Sequence, residues 1–218
     1  MKLFPIVYAR STLPESMIFE NGRKDRTRPI AFILYYVESE NRRILIDAGC
    51  DSMPGFEMQD FIGPLAALEG HGISKHGITD VILTHAHHDH AQGAMHFPHA
   101  RIYVHRDAYP RAKRYISPAG ELHLFDSAVK ITEEVEVLHV GGHARGSSVV
   151  RLCDGNDSYV VVGDECYLRD CVLENIPTGV SCDPAKSRAF LEACQGSKDT
   201  ILFCHDERPL TKEERESV

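Results

Sequence analysis

No apolar run in this chain approaches the roughly 20 residues that a helix needs to cross a bilayer, so no membrane-spanning helix is expected. The opening residues Met1-Lys2-Leu3-Phe4-Pro5-Ile6-Val7-Tyr8 lack a long apolar stretch and a small-residue cleavage site. A first strand is expected there rather than a signal peptide. No CxxC pair occurs, and the seven cysteines are odd in number. Without a secretion signal, that pattern points to free thiols in a reducing cytoplasm. Basic residues are in deficit, with a net charge of −8. An acidic chain repels a phosphate backbone, so nucleic acid is not an expected partner, and neither is a membrane. The basic runs Arg23-Lys24-Asp25-Arg26 and Arg111-Ala112-Lys113-Arg114 are read as solvated surface. No internal repeat, low-complexity tract or Pro/Gly-rich linker divides the chain, so residues 1–218 are expected to form one domain.

What the chain does have is histidine, 13 residues of it, and a succession of short β-rich runs. Strands are expected at 30–37 and 43–46, joined as a hairpin by Glu38-Ser39-Glu40-Asn41. Others are expected at 81–83, 101–104, 135–140, 148–152, 159–162 and 200–203. Helices are expected at 60–69, 107–115 and 184–194. The last has Asp183 as N-cap, Pro184 at its first position and Gly196 as its stop. Strands outnumber helices and helices occur in both halves, which suggests an α/β fold with two sheets face to face and helices outside.

Several of these strands lead into a polar residue of metal-ligand type: Asp47, His85, His143, Asp164 and His205. Strand ends on one edge of a sandwich converge, so residues distant in sequence can build one rigid site. The densest cluster is Thr84-His85-Ala86-His87-His88-Asp89-His90. In extended backbone, residues two apart point the same way, so His85 and His87 can bind one ion side by side. His88 points to the other side and is read as a bystander. Asp89 and His90 begin a helix, where side-chain directions change, and can address a second ion.

The pattern His85-x-His87-x-Asp89-His90 resembles the signature of the metallo-β-lactamase superfamily. Asp47-Ala48-Gly49, Gly142-His143, Gly163-Asp164 and His205 resemble its remaining motifs, in the expected order from about Ile30 onward. The resemblance implies a four-layer αβ/βα sandwich. It also implies a dinuclear site, with His85, His87 and His143 on one ion, Asp89, His90 and His205 on the other, and Asp164 bridging. Asp47 would orient an imidazole by hydrogen bond. Nitrogen and oxygen ligands of this kind suit two zinc ions, with manganese, iron or cobalt as alternatives.

Within the superfamily, three features resemble N-acyl-homoserine lactonases. Asp164 stands where zinc β-lactamases have Cys. Tyr167 follows Asp164 by three residues. The stretch Glu174-Asn175-x-Pro177-x-Gly179, then Asp183-Pro184, is similar to the lactonase segment before its helix. The resemblance therefore implies hydrolysis of a small-molecule ester, foremost a lactone, by attack of a metal-bridging hydroxide. Tyr167 would donate to the developing oxyanion, and Asp89 would carry the proton to the leaving alkoxide. A glyoxalase II-like thioesterase and a small phosphodiesterase are the alternatives within hydrolysis. A non-hydrolytic redox or sensing module is the alternative outside it, though iron-type members resemble His-x-Glu where this chain has His87. The resemblance also allows a homodimer. The apolar loop 51–59, with Met53, Phe56 and Met58, is expected to form one wall of the pocket. Arg145 places a cation beside His143, where pairing with a nearby acid is expected.

Overall fold

In chain order, the computed structural model runs β1 (Lys2–Pro14), α1 (Glu15–Ile18), β2 (Thr27–Ser39), β3 (Arg42–Ile46), α2 (Pro64–Gly70), β4 (Asp80–Leu83), α3 (His88–Ala91), β5 (Arg101–His105) and α4 (Tyr109–Ala112). It continues through β6 (Glu121–Phe125), β7 (Ala128–Lys130), β8 (Val135–His139), β9 (Ser148–Asp154), β10 (Asp157–Val161), α5 (Arg169–Leu173), α6 (Pro184–Gly196), β11 (Thr200–Leu202) and α7 (Lys212–Glu216). The structure describes residues 1–216. Strands β1 to β6 form one sheet in sequence order, and the second sheet runs β11-β10-β9-β8-β7.

The composition of β2 explains the layering. Its run Ile30-Ala31-Phe32-Ile33-Leu34-Tyr35-Tyr36-Val37 is apolar at every position because both faces are buried. Ala31, Ile33, Tyr35 and Val37 face the second sheet and meet Val135, Val137, Val150, Leu152 and Val161. Ile30, Phe32, Leu34 and Tyr36 belong to the other core, with Leu68 of α2 and Ile18 of α1. On the far side, Leu191 and Cys194 of α6 cover the second sheet. The result is the four-layer αβ/βα sandwich.

Registers aim the strand ends. Strands β3, β4, β5 and β6 pair in parallel, with Ile46 opposite Ile82 and Ile82 opposite Tyr103. Residues just past β3 and β4 therefore emerge side by side. In the second sheet β10 and β11 are also parallel, Val161 opposite Leu202. The sheets are then stitched at that edge. Ser148 N donates to Thr84 O at 2.8 Å, Ala31 N to His205 O at 3.0 Å, and Ile33 N to Cys204 O at 3.0 Å.

Three expectations change in detail. The helix expected at 60–69 starts only at Pro64, after Asp60 and Gly63 take positive φ angles of 48° and 80°. Gly196 does not stop α6 but ends it as a helical residue, with Ser197 as the cap. The helix expected at 107–115 splits into α4 and a single 3-10 turn at Lys113–Tyr115. The Asp183 cap forms as expected, its carboxylate accepting from Lys186 N at 3.2 Å.

Ile82 is fully buried between the sheets. Ile82→Ala should lower stability by about 2–5 kcal/mol, read as a lower urea midpoint with an unchanged m-value.

Candidate metal centre

Asp47 follows β3 in a left-handed conformation, φ 58°, and is almost fully buried. Its amide donates to Ile82 O at 2.8 Å. Its carboxylate accepts from Thr84 N at 2.8 Å, from Thr84 Oγ1 at 2.8 Å and from His90 Nδ1 at 2.7 Å. One side chain thus joins the ends of β3 and β4 to the start of α3. The turn after α3 presses onto the same loop, with Gly93 N donating to Gly49 O at 2.8 Å. A Cβ on Gly93 would lie 2.1 Å from Ala48 O, so only glycine fits.

The fold brings together all seven residues singled out in the sequence. His85, His87, His143 and Asp164 form one set, and Asp89, His90 and His205 another, with the donor atoms of each set within 4.8 Å of one another. Asp164 lies between the sets. Its Oδ1 is 3.0 Å from His90 Nε2 and 3.1 Å from His205 Nε2. Its Oδ2 is 3.4 Å from His143 Nε2 and 3.5 Å from His85 Nε2. Asp89 Oδ2 lies 3.5 Å from His90 Nε2 and 3.7 Å from His205 Nε2. His87 presents Nδ1, 2.9 Å from His143 Nε2.

The outward nitrogens of four imidazoles are committed to other partners. His90 Nδ1 meets Asp47, His143 Nδ1 meets Val180 O at 2.7 Å, His205 Nδ1 meets Ala31 O at 2.8 Å, and His85 Nδ1 meets Thr84 Oγ1 at 3.1 Å. A proton held at Nδ1 by a carbonyl or carboxylate leaves the Nε2 lone pair pointing inward. Inside, His85 Nε2, His90 Nε2, His205 Nε2 and Asp164 Oδ1 are buried with no hydrogen-bond partner. Buried polar atoms without partners are costly. Four of them gathered at Asp164 fit divalent cations. Asp47, His90 and Cys204 also lie close together. However, Asp47 and His90 are bonded through Nδ1, and burial pushes the Cys204 thiol up to about 12, so this trio is a hydrogen-bond network.

Charge is distributed unequally. Burial and the neighbouring His90 drive the His85 imidazole well below its ordinary range, and burial with His143 brings His87 down to about 4. These rings are neutral and ready to coordinate. Burial opposes charge on His90 and His205 as well, but the carboxylates of Asp164 and Asp89 outweigh it and hold both values above the ordinary one. Both rings therefore hold a proton more tightly than a free imidazole does, opposite the buried acids.

Tyr167 is buried beside the set, its ring stacked on His205 at 5.1 Å and 16°. Burial first, then the charges of Asp164 and Asp89, push its hydroxyl well above the ordinary value, so it remains a donor. Together with Asp89 and Asp164 it lines a cavity of about 190 Å³ whose other wall includes Leu13, Met17, Phe32, Met53 and Phe56. Met53 and Phe56 come from the loop 51–59. A larger cleft of about 420 Å³ touches His205 from the other side, but charged residues dominate it and they pair with one another, as in Arg10–Glu207 and Arg28–Asp170.

His88 is turned away, bonded to Tyr115 OH at 3.1 Å and Ser52 O at 2.8 Å. Arg145 does not pair with an acid: its side chain is exposed and makes no ion pair among the described residues. Two contributors carry no motif. Glu165 is a buried carboxylate that accepts from Gly142 N and His143 N at 3.1 Å each and from Ser147 Oγ, fixing the loop that bears His143. Tyr8 OH donates to Asp89 O at 3.1 Å from strand β1. The only hint of Glu165 in the sequence is an acid adjoining Asp164, and nothing local marks Tyr8.

The family model of the metallo-beta-lactamase superfamily matches residues 34–205, and the chain belongs to that superfamily. Hydroxyacylglutathione hydrolase of Aeromonas hydrophila is 26% identical over 187 residues, which cover 82% of this chain and 62% of that protein. The chain spans about 60% of the length of the curated relatives it matches. An N-acyl homoserine lactone hydrolase, solved with N-hexanoyl-L-homoserine at its catalytic metal centre, has a TM-score of 0.83 at 20% identity over 100% of this chain and 96% of that one. A dizinc quorum-quenching lactonase gives 0.78 at 19% identity over 95% and 88%. At these identities the likeness establishes the fold. No helix among the described residues is long and apolar enough to cross a membrane.

Zinc loading at about pH 6, below the ordinary imidazole value, should expel the protons that the raised values favour on His90 and His205. Calorimetric titrations in buffers of different ionisation enthalpy should then give different apparent enthalpies, whereas equal enthalpies would mean neutral rings. The folded values of both lie above the unfolded one, about 6.5. In the metal-free protein their contribution to stability is therefore fully present below that pH and is lost as pH rises through the raised values. Asp47→Asn should weaken metal affinity by about 10- to 100-fold, measured by competition with a chelator.

Proposed function

We propose that this chain is a dinuclear metallohydrolase that opens an ester bond, with lactones as its foremost substrate class. The observation that carries the reading is the division of donors around Asp164, whose Oδ1 faces His90 and His205 and whose Oδ2 faces His85 and His143, three of these four inward nitrogens having no hydrogen-bond partner. In this reading His85, His87 and His143 would hold one ion and Asp89, His90 and His205 the other, with Asp164 available to both. The nitrogen and oxygen donors suit zinc. Divalent ions there would supply charge that polarises a carbonyl and makes water nucleophilic near neutral pH.

The chain's own residues do the rest. The cavity wall of Leu13, Met17, Phe32, Met53 and Phe56 takes the apolar arm of the substrate and keeps water from the carbonyl. Tyr167 holds its hydroxyl proton and donates it as a hydrogen bond to the oxygen on which negative charge develops. Stacking on His205 fixes the phenol in place. Asp89, its backbone held by Tyr8, carries a proton to the leaving alkoxide.

Likeness to lactonases at TM-scores of 0.83 and 0.78 supports the lactone assignment. The Aeromonas hydrophila relative favours a second reading, thioester hydrolysis. A hydrolysis panel with the zinc-loaded protein distinguishes them: acyl-homoserine lactones, other lactones, thioesters and phosphodiesters side by side. Lactones should give the highest kcat/KM, and a thioester preference would replace the first reading with the second. Metal analysis should find about two zinc ions per chain, and redox-active iron instead would argue for a sensor.

Asp164→Ala should lose metal and activity together. Tyr167→Phe should keep its metal and lose about ten- to a thousandfold in turnover, as deletions of oxyanion donors do. Unchanged turnover in Tyr167→Phe would remove the tyrosine from the mechanism.

A further inference from the structure

In the run Arg111–Arg114, Arg111, Lys113 and Arg114 are exposed as expected from sequence, and Arg111 also lines the mouth of the 190 Å³ cavity. Arg111 lines that cavity together with Met17, Met53, Phe56 and Tyr167, and it is the one cationic side chain of lysine or arginine type there. It has no carboxylate partner among the described residues. Many of the other arginines are held by acids: Arg10 by Glu207, Arg28 by Asp170, Arg42 and Arg101 by Asp80, Arg106 by Asp126, Arg188 by Glu20.

The backbone under Arg111 is anchored. Arg111 N donates to Ala108 O at 3.1 Å, and Arg111 O accepts from Arg114 Nε at 3.2 Å. A Cβ on Gly146 would lie 2.4 Å from Ala108 N, so the loop bearing His143 packs directly on the start of α4. At the other end, Tyr115 OH bonds His88, between His87 and Asp89. The Arg111 backbone is therefore held at a set place relative to the metal centre, while its exposed side chain has no hydrogen-bond or ion-pair partner among the described residues. A planar guanidinium free to bond at the mouth of a cavity that Met17, Met53 and Phe56 also line is matched by a carboxylate or similar oxyanion.

We propose that Arg111 is a specificity-determining residue and that the substrate is an ester carrying an anionic group, a carboxylate in the simplest case, on the arm that lies along the Met17–Met53–Phe56 wall. This rests on the ester-hydrolase reading above and narrows it to esters that carry an anionic group.

The test compares 4-nitrophenyl hexanoate with mono-4-nitrophenyl adipate, which differ by a terminal carboxylate. The zinc-loaded wild type, Arg111→Gln, Arg111→Lys and Arg114→Gln are assayed on both. Arg111→Gln should lower the ratio of kcat/KM for adipate ester over hexanoate ester by about ten- to a hundredfold, the usual worth of a charge-assisted hydrogen bond. Arg111→Lys should restore part of it. Arg114→Gln, which removes an equal charge from the stack on Tyr115, should leave the ratio as it is. A ratio unmoved by Arg111→Gln, or moved as far by Arg114→Gln, overturns the proposal. Calorimetric binding of adipate and hexanoate to the same proteins keeps the two readings apart. If neither ester is cleaved, the ester-hydrolase reading falls. An adipate preference abolished by Arg111→Gln then still upholds the anion site, and its absence in wild type refutes it.

Discussion

Three carboxylates, those of Asp47, Asp89 and Asp164, sit at the edge between two hydrophobic sheets, and two of them are almost wholly buried. Buried anions persist only when they are paired or bind a cation. The arrangement around them follows from that demand. Asp47 is neutralised by hydrogen bonds from Thr84 and His90. Asp164 is ringed by four imidazoles, and its charge, with that of Asp89, raises the affinity of His90 and His205 for protons. Divalent ions would satisfy the same demand more completely, because they would also occupy the orphaned nitrogens.

The fold holds that charge in place. Backbone bonds from Ala31 to His205 and from Ser148 to Thr84 lock the two sheets at the edge where the ligand-type residues emerge. Carbonyls of Ala31 and Val180 then set the ring orientation of His205 and His143. The Val180 carbonyl arrives because the backbone at Gly179 passes so close to Ser16 that a Cβ would lie 2.3 Å from its carbonyl oxygen. A site assembled from the ends of separate strands is rigid because each strand is fixed by its own ladder and core.

Much of this was legible in the sequence. The cluster His85–His90 advertises itself because four ligand-type residues in six positions have no ordinary structural use. Asp47, His143, Asp164 and His205 were legible because each follows an apolar run that ends abruptly. Strands β6 and β7 were not. Glu121-Leu122-His123-Leu124-Phe125 is half-exposed, and β7 has only three residues, so neither offers the hydrophobic contrast of β2 or β4. Glu165 and Tyr8 escaped for a different reason. Each acts on the backbone of a residue far along the chain, His143 or Asp89, and such a contact leaves no pattern in the neighbouring residues.

The sequence by itself determined the residues of ligand type, their order and the layered α/β architecture, since these depend on local spacing and on which strands are apolar on both faces. Only the tertiary structure decided which imidazole nitrogen faces inward, which backbone groups orient each ring, and that Arg111 and not Arg145 borders the pocket. Those outcomes depend on distances of a few ångströms between segments that are distant in the chain. They are set by strand register and by packing between sheets rather than by any residue's immediate neighbours.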